Sequence, residues 1–283
     1  MHNERDDIAH DKHAIAKSFG NAATSYDSAA GLQQRVGDVL LGFVRDSLPE
    51  TLTPKVLDVG CGTGYIVSQL VNESELIFAL DIAEGMLCVA KSGMSGDEKT
   101  KTKSKTKANI HYICADAEAI PLAENTVDLV VSNFAIQWCP DKALLFQEIA
   151  RVLVPGGRFI FSMPGADTLH ELKASWQHAD SSHTHVNQFC KMDELVADVQ
   201  HSSLHIEVLQ SQIEIMRYSK LQELTHELKA LGAHNVTDGR ARQLTGKNTL
   251  KRLVSAYDEF RDSDGMLPAT WNVIYGVLVN QKT

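Results

Sequence analysis

Val56-Leu57-Asp58-Val59-Gly60-Cys61-Gly62-Thr63-Gly64 reads as a short apolar strand running straight into three glycines at alternate positions. Glycine lets a chain turn sharply and lays bare backbone against a ligand. Tyr65 to Val71 follows with a helical pattern, and Leu76 to Leu80 is a second apolar strand. Strand–glycine loop–helix–strand is the start of a doubly wound parallel sheet. Working outward, Glu84 to Lys91 reads as a helix, Ile110 to Cys114 and Val127 to Val131 as strands, and Lys142 to Leu153 as a helix stopped by Pro155-Gly156-Gly157. Arg158 to Met163 is a fifth strand. Upstream, Leu32, Val36, Val39, Leu40, Phe43 and Val44 make one apolar helical stripe over residues 31–48. Downstream of Pro164 the alternation weakens. Residues 205–216 and 273–279 pattern as strands, 219–231 and 248–260 as helices.

Asp81 ends the second strand about 20 residues after the glycines, where an acid accepts from ribose hydroxyls in such sheets. A nucleoside-containing ligand at the switch point is therefore expected. The dinucleotide fingerprint places its third glycine three residues after the second, whereas here the spacing is G-x-G-x-G. Asp58, on the strand beneath the loop, would repel a pyrophosphate and suits an ammonium or sulfonium group. The two features favour S-adenosylmethionine over NAD.

Length and composition bound the rest. The chain has 283 residues, 43% apolar and 22% charged, the balance of one large globular domain with extensions. Residues 1–10 read as a flexible tail and 11–283 as a single domain. Within it lie N-terminal helices (11–48), a ligand-binding core (55–163), a helical lid (165–200) and a substrate-side segment (205–283). The net charge of −9 argues against a nucleic-acid partner. Cys61, Cys88, Cys114, Cys139 and Cys190 are odd in number and never form C-x-x-C, which argues against a disulfide framework or a zinc site and fits a reducing cytoplasm. No apolar run approaches the roughly 18–20 residues of a membrane helix. The polar, acid-bearing start of the chain resembles neither a signal nor a transit peptide.

The run 55–163 resembles the class I S-adenosylmethionine-dependent methyltransferases. The matching residues are the Asp58–Gly64 loop, Asp81, Asp116, Asn133 and Leu153-Val154-Pro155-Gly156-Gly157. The resemblance implies an α/β fold: a doubly wound, seven-stranded, mostly parallel, Rossmann-like sheet with N-terminal helices and an inserted helical lid. It implies that Asp58, Gly60, Gly62, Gly64 and Asp81 bind the cofactor. It further implies that Ile82 and Met86 flank ribose and adenine, that Asp116 accepts from the adenine amino group, that Ala117 offers its backbone to the ring, and that Asn133 completes the set.

The flanks narrow the resemblance. Phe19-Gly20-Asn21-Ala22-Ala23 with Tyr26-Asp27 and Leu32-Gln33, then Ser132-Asn133, Gln137-Trp138-Cys139, Leu231-Gly232-Ala233, Gly239-Arg240, Leu244-Thr245-Gly246 and Leu267-Pro268, resemble the malonyl-acyl-carrier-protein O-methyltransferases of biotin synthesis. That implies a malonyl-acyl-carrier protein, or malonyl-coenzyme A, as partner and methyl acceptor. A carboxylate acceptor is already ionised at pH 7, so no general base is expected. A holder for the carboxylate is, and Arg240 leads the candidates, with Arg242 and Lys247 beside it, because arginine clamps a carboxylate with two parallel bonds. Gln33 and Tyr26 can close over the ligand, Trp138 can line the acyl pocket, and His185 can reach substrate from the lid.

The plainer readings are a surface arginine, helix packing and core. His178, His183 and His185 sit in a polar, serine-rich loop and are expected to be solvated, with no metal; Cys61 reads as a small residue in a tight turn. Lys99 to Lys107 alternates lysine with threonine or serine and reads as a solvated insertion. Three other functions stay open: another small-molecule methyltransferase on this scaffold, an NAD-dependent dehydrogenase, and a non-catalytic assembly factor that keeps the cofactor fold.

Overall fold

The computed structural model describes residues 11–49, 51–95, 108–183, 185–231 and 246–282. The 1–10 tail, the Lys99–Lys107 run, and Arg240 and Arg242 lie outside the described residues. Two helices open the chain. α1 (Lys12–Ala29) is capped by Asp11, whose carboxylate accepts from the His13 and Ala14 amides at 2.9 and 3.2 Å. α2 (Gly31–Ser47) buries Leu32, Val36, Leu40 and Val44 of its expected stripe, with Leu41 beside them, while Val39 and Phe43 are half-buried. Then follow β1 (Lys55–Val59), α3 (Tyr65–Leu70), β2 (Leu76–Asp81), α4 (Glu84–Ser95), β3 (Asn109–Cys114) and β4 (Val127–Asn133). α5 (Lys142–Val152), β5 (Leu153–Pro164), α6 (His170–Ala179) and α7 (Met192–Val199) come next. β6 (Leu204–Tyr218), α8 (Leu221–Ala230), α9 (Lys247–Asp258) and β7 (Leu267–Asn280) complete it.

The seven strands form one sheet in the order β3-β2-β1-β4-β5-β7-β6. The first five are parallel, and β7 runs antiparallel to both β5 and β6. Strand order reverses between β1 and β4, so a crevice opens at their carboxyl ends, where ligands bind in such sheets. Val56, Leu57, Leu129, Val130 and Val131 are all fully buried. Helices cover both faces, which is why these strands read as continuous apolar runs rather than alternating ones.

The observed strands outrun the expected ones where apolarity is not what defines them. β5 begins at Leu153, and its register on β4 jumps from Val127↔Leu153 to Leu129↔Arg158. Pro155-Gly156-Gly157 is therefore an irregularity inside the strand, with Gly156 at φ 76°, rather than a gap before it. β6 and β7 pair over 14 registered positions as a long antiparallel ribbon. β6 has a neighbour on one side only, so many of its side chains are exposed and its hydrophobic pattern stops before its hydrogen-bond ladder does.

The 165–200 insertion is tied down at both ends. Glu171, on the first turn of α6, is buried and accepts from the Thr270 amide and hydroxyl. Leu195 and Val199 of α7 are buried in the cluster that holds Phe146 and Phe159. At the far edge, Asn280 (1% exposed) donates to the carbonyls of Ala150, Leu153 and Val154 at 3.1, 2.9 and 3.3 Å and accepts from Ser203 Oγ at 2.7 Å. Asn280→Ala leaves those carbonyls buried without a donor. It should cost about 2–4 kcal/mol, read as a lower urea midpoint at unchanged m-value.

Candidate active site

The glycine loop is pinned from below before it meets anything else. Gly60 and Cys61 both donate their amides to the Leu80 carbonyl, at 2.8 and 3.0 Å. Gly62 donates to Asp81 Oδ2 at 2.9 Å, and Ala83 to Asp81 Oδ1 at 2.8 Å. Gly60, Gly62 and Gly64 have φ of 72, 53 and 90°. A Cβ on Gly60 would sit 2.1 Å from the Ala135 Cβ, so the β1 and β4 loops approach only because it is absent. A Cβ on Gly62 would meet nothing within 4 Å: it would point into open cleft, the space that a ligand would fill. Gly64 is different. It is not among the residues that line the two lobes or the hollow, and a Cβ there would be 3.2 Å from the Ala90 Cβ of α4, so its bareness serves helix packing.

Above the loop lies a cleft of two joined lobes. The first encloses about 740 Å³ and gathers Gly60, Gly62, Asp81, Ile82, Met86, Asp116, Ala117 and Asn133, as the sequence reading expects. Met86 is also core, packed with Ala23 and Ala83. Asn133 spends its side chain on structure: it donates to the Gln33 carbonyl at 2.9 Å and accepts from Ser162 Oγ at 2.7 Å, which ties β4 to α2 and β5. Gln33 lines not this lobe but the second lobe and a smaller hollow by the glycine loop, its Oε1 buried without a partner.

Lys12 is a residue that the sequence reading missed. It reaches down from α1 to Asp116 Oδ2 at 2.6 Å and to the buried Glu118 carboxylate, closing the adenine end expected for Asp116. Burial works against the Lys12 charge, but the hydrogen bonds to Asp116 and Glu118 outweigh it and hold the ammonium above its ordinary pKa. Nothing local in the sequence pairs positions 12 and 116. Tyr26 lines both lobes and the hollow. Burial, then the charges of Asp81 and Asp27, push its phenol well up.

Asp58 lies beneath the loop, 1% exposed, with its Oδ2 unpartnered. Burial, then the Asp81 charge, push its carboxyl up to about 8. Asp81 is also raised, by burial, against the pull of the Ala83, Gly62 and Ile82 amides. Two buried acids with no cation beside them among the described residues form a site built for positive charge. Cys61 and Cys139 are poor nucleophiles: burial pushes Cys139 up to about 12 and Cys61 well above the usual thiol value.

The second lobe encloses about 950 Å³ and shares Phe19, Tyr26, Phe134 and Trp138 with the first. Phe19 meets Trp138 edge-on at 5.4 Å, and Phe134 faces Trp271 at 6.0 Å. Phe134 (φ 49°) and Leu169 (φ 56°) are non-glycine residues in the left-handed region, and both line this lobe. Such strain is held by its surroundings: the Phe134 amide donates to Ser162, and the Leu169 amide to the Thr270 carbonyl. His185 lines the lobe as expected, with a setting the sequence did not reveal. It stacks on Trp176 at 3.7 Å and pairs through Nε2 with Asp180 at 3.1 Å. Asp180, His183 and His185 bring their ligand-type atoms within 4.8 Å of one another. They spend them on one another and on Ser182. His178 is exposed on α6.

Lys247 does not join this site. Leu253, Ala256 and Tyr257 turn inward on α9, and the helical period then sends Lys247 outward to solvent. Among the described residues, the second-lobe lining holds no lysine or arginine.

Comparison with known proteins bears on this geometry. The methyltransferase domain family matches residues 57–161. A malonyl-[acyl-carrier protein] O-methyltransferase from Methylovorus sp. is 39% identical over 269 residues, 94% of this chain and 88% of that protein. A biotin biosynthesis bifunctional protein BioHC from Cellvibrio japonicus is 41% identical over 268 residues, 95% of this chain but 50% of that protein. The chain thus spans about half the length of the BioHC relatives it matches. The YcgJ protein of Bacillus subtilis superposes with a TM-score of 0.60 at 18% identity, over 87% of this chain and 100% of that one, a likeness of fold alone. The chain carries a methyltransferase domain and belongs to the malonyl-[acyl-carrier protein] O-methyltransferase family. Among the described residues no helix is long and apolar enough to cross a membrane.

The raised Asp58 makes a test that needs no ligand. The unfolded chain ionises this acid near pH 4, whereas the folded one holds the proton up to about pH 8. Between those values the native state binds more protons, so this group's contribution to stability falls as pH rises and levels off above 8. Asp58→Asn should therefore stabilise the ligand-free protein, by about 2–5 kcal/mol at pH 8 and by little near pH 4. Thermal melts of both proteins across that range check it.

Proposed function

We propose that this chain transfers a methyl group from S-adenosylmethionine to the free carboxylate of a malonyl thioester carried on an acyl-carrier protein, an early step of biotin synthesis. The observation that carries the reading is the pairing of the two lobes. One has the open glycine cradle and Asp81 on its wall, with the unpartnered buried carboxyl of Asp58 in the smaller hollow beside the loop. The other is walled by aromatics, and the two meet at Tyr26, Phe19, Phe134 and Trp138. A relative matched over 88% of its length and named for this reaction supports it.

The residues fit the cofactor. Asp58 has the charge and the missing partner for its cationic end, Gly62 leaves room for it, and Asp81 has lone pairs left for ribose hydroxyls. When bound, S-adenosylmethionine supplies an electrophilic methyl on a sulfonium. The transfer would turn the malonyl carboxylate into a methyl ester and the sulfonium into a neutral thioether. The nucleophile is ionised at neutral pH, so the chain's work is alignment and the removal of water from the carboxylate. Phe19, Phe134, Trp138 and Trp271 do the second, and Tyr26 sits where the two ligands would touch. The holder of the malonyl carboxylate is proposed to be Arg240, with Arg242 as the neighbouring choice. The apolar lobe contains no described arginine or lysine, so the cation must come from elsewhere.

Transfer of labelled methyl from S-adenosylmethionine to a malonyl-acyl-carrier protein tests the reading; label that reaches other small acceptors but not this one would overturn it. Asp81→Ala should weaken cofactor binding by about 1–3 kcal/mol, the scale of a lost hydrogen bond to a charged group. Arg240→Ala should raise the KM for the malonyl thioester strongly and leave cofactor affinity unchanged, with Arg240→Lys recovering part of the loss. Calorimetry and initial rates separate the two effects.

A further inference from the structure

α9 carries an outward face that the site does not use. Six large apolar side chains are exposed among the described residues, and two of them, Leu250 (47%) and Val254 (38%), stand one turn apart on this helix. Lys247, Leu250, Lys251 and Val254 fall at i, i+3, i+4 and i+7, a single stripe. The helix cannot roll to hide it. Leu253, Ala256 and Tyr257 are buried on the other side, and the Tyr257 hydroxyl donates to the Pro268 carbonyl at 2.8 Å.

Lys247 and Lys251 make the stripe positive. Arg45, Arg151, Arg158, Arg217 and Arg261 each pair with an acid. Lys247 and Lys251 have no ion-pair partner among the described residues, in a chain whose net charge is −9. Asp258 continues the stripe past Val254, but it accepts from Arg261. Two free ammonium groups flanking two exposed aliphatic side chains suit a partner that presents carboxylates around a small apolar patch. Charge of this kind sets orientation and association rate, and the apolar contact adds affinity. α9 packs along α6, which contributes Leu172 and Trp176 to the acyl lobe, so a partner seated here stands one helix away from that lobe.

We propose that the outer stripe of α9 is the docking face for the acyl-carrier protein that delivers the malonyl thioester. The inference rests on the functional reading above, and it assigns where the carrier sits while its long prosthetic arm reaches past α6. A small, charge-guided contact is what a carrier that must leave after each turnover needs.

The test uses Leu250→Asp, Lys251→Glu and the double variant in the full chain. Binding of the carrier with its prosthetic arm but no malonyl group is measured first, by fluorescence anisotropy. Kinetics with malonyl-carrier and with malonyl-coenzyme A follow. The double variant should bind the carrier at least tenfold more weakly. Its KM for malonyl-carrier should rise by a similar factor, while kcat, the KM for malonyl-coenzyme A and the melting curve stay put. Wild-type carrier binding should weaken as salt rises from roughly 50 to 300 mM.

Unchanged carrier binding in the double variant overturns the proposal. So does an equal loss with coenzyme A thioester, which would place the effect in the site. Sedimentation showing that the stripe joins two copies of this chain, with carrier binding untouched, would overturn it too. Stripe-dependent carrier binding without methyl transfer to the malonyl group would leave the docking face standing and sink the malonyl reading instead.

Discussion

The structure turns on one close approach. β1 and β4 part at the switch point, and the chain leaving β1 must pass the β4 loop with no room for a side chain at Gly60, 2.1 Å from Ala135 by the position of a Cβ. Two amides on the Leu80 carbonyl and one on Asp81 hold that turn rigid. The same bonds bring the two acids of β1 and β2, Asp58 and Asp81, into one buried space. Geometry that the backbone needs for turning and electrostatics that a cationic ligand needs for binding thus come from one set of contacts. The cost is an ionisable group that is uncomfortable without its ligand, as expected of sites whose pKa values are pushed far from normal.

The N-terminal helices roof that space: α2 is anchored by its buried apolar stripe, and polar contacts tie both helices down near the ligand. Lys12 binds Asp116 and Glu118, Thr63 donates to Asp27 at 2.6 Å, and Asn133 reaches the Gln33 carbonyl. α1 packs mainly on α4, through Ala23 against Met86 and Ala83, in a small cluster apart from the two large ones. Elements with few buried apolar contacts are the ones that open at low energy. A roof of this kind can admit a ligand and still close over it.

Much of the site was legible before any coordinates. G-x-G-x-G with Asp58 and Asp81 states a local requirement: positive φ, bare backbone, and acids at strand ends. Such requirements are written in consecutive residues, and the chain obeyed them. Gly64 shows what the motif alone does not announce, because its missing Cβ also lets α3 pack on α4. Lys12, Phe134, Leu169, Trp176 and Asp180 escaped notice because their roles depend on partners far away in the chain or on a backbone angle that no residue type announces. Lys247 illustrates the opposite case. Near two arginines in the sequence it looked like part of a clamp, and the helical period turned it to solvent.

Sequence by itself determined the sheet's parallel half, the glycine turn and the charge preference of the ligand space, because each follows from residue types at fixed local spacing. The tertiary structure alone decided that β6 and β7 would run on as a long ribbon, that α6 would be pinned to β7 through the buried Glu171, and that α1 would latch across Asp116. It alone decided that His185 would lie flat on Trp176 against Asp180. Hydrogen-bond ladders, buried charges and ring stacking join residues distant in the chain, and only folding brings those residues within a few ångströms.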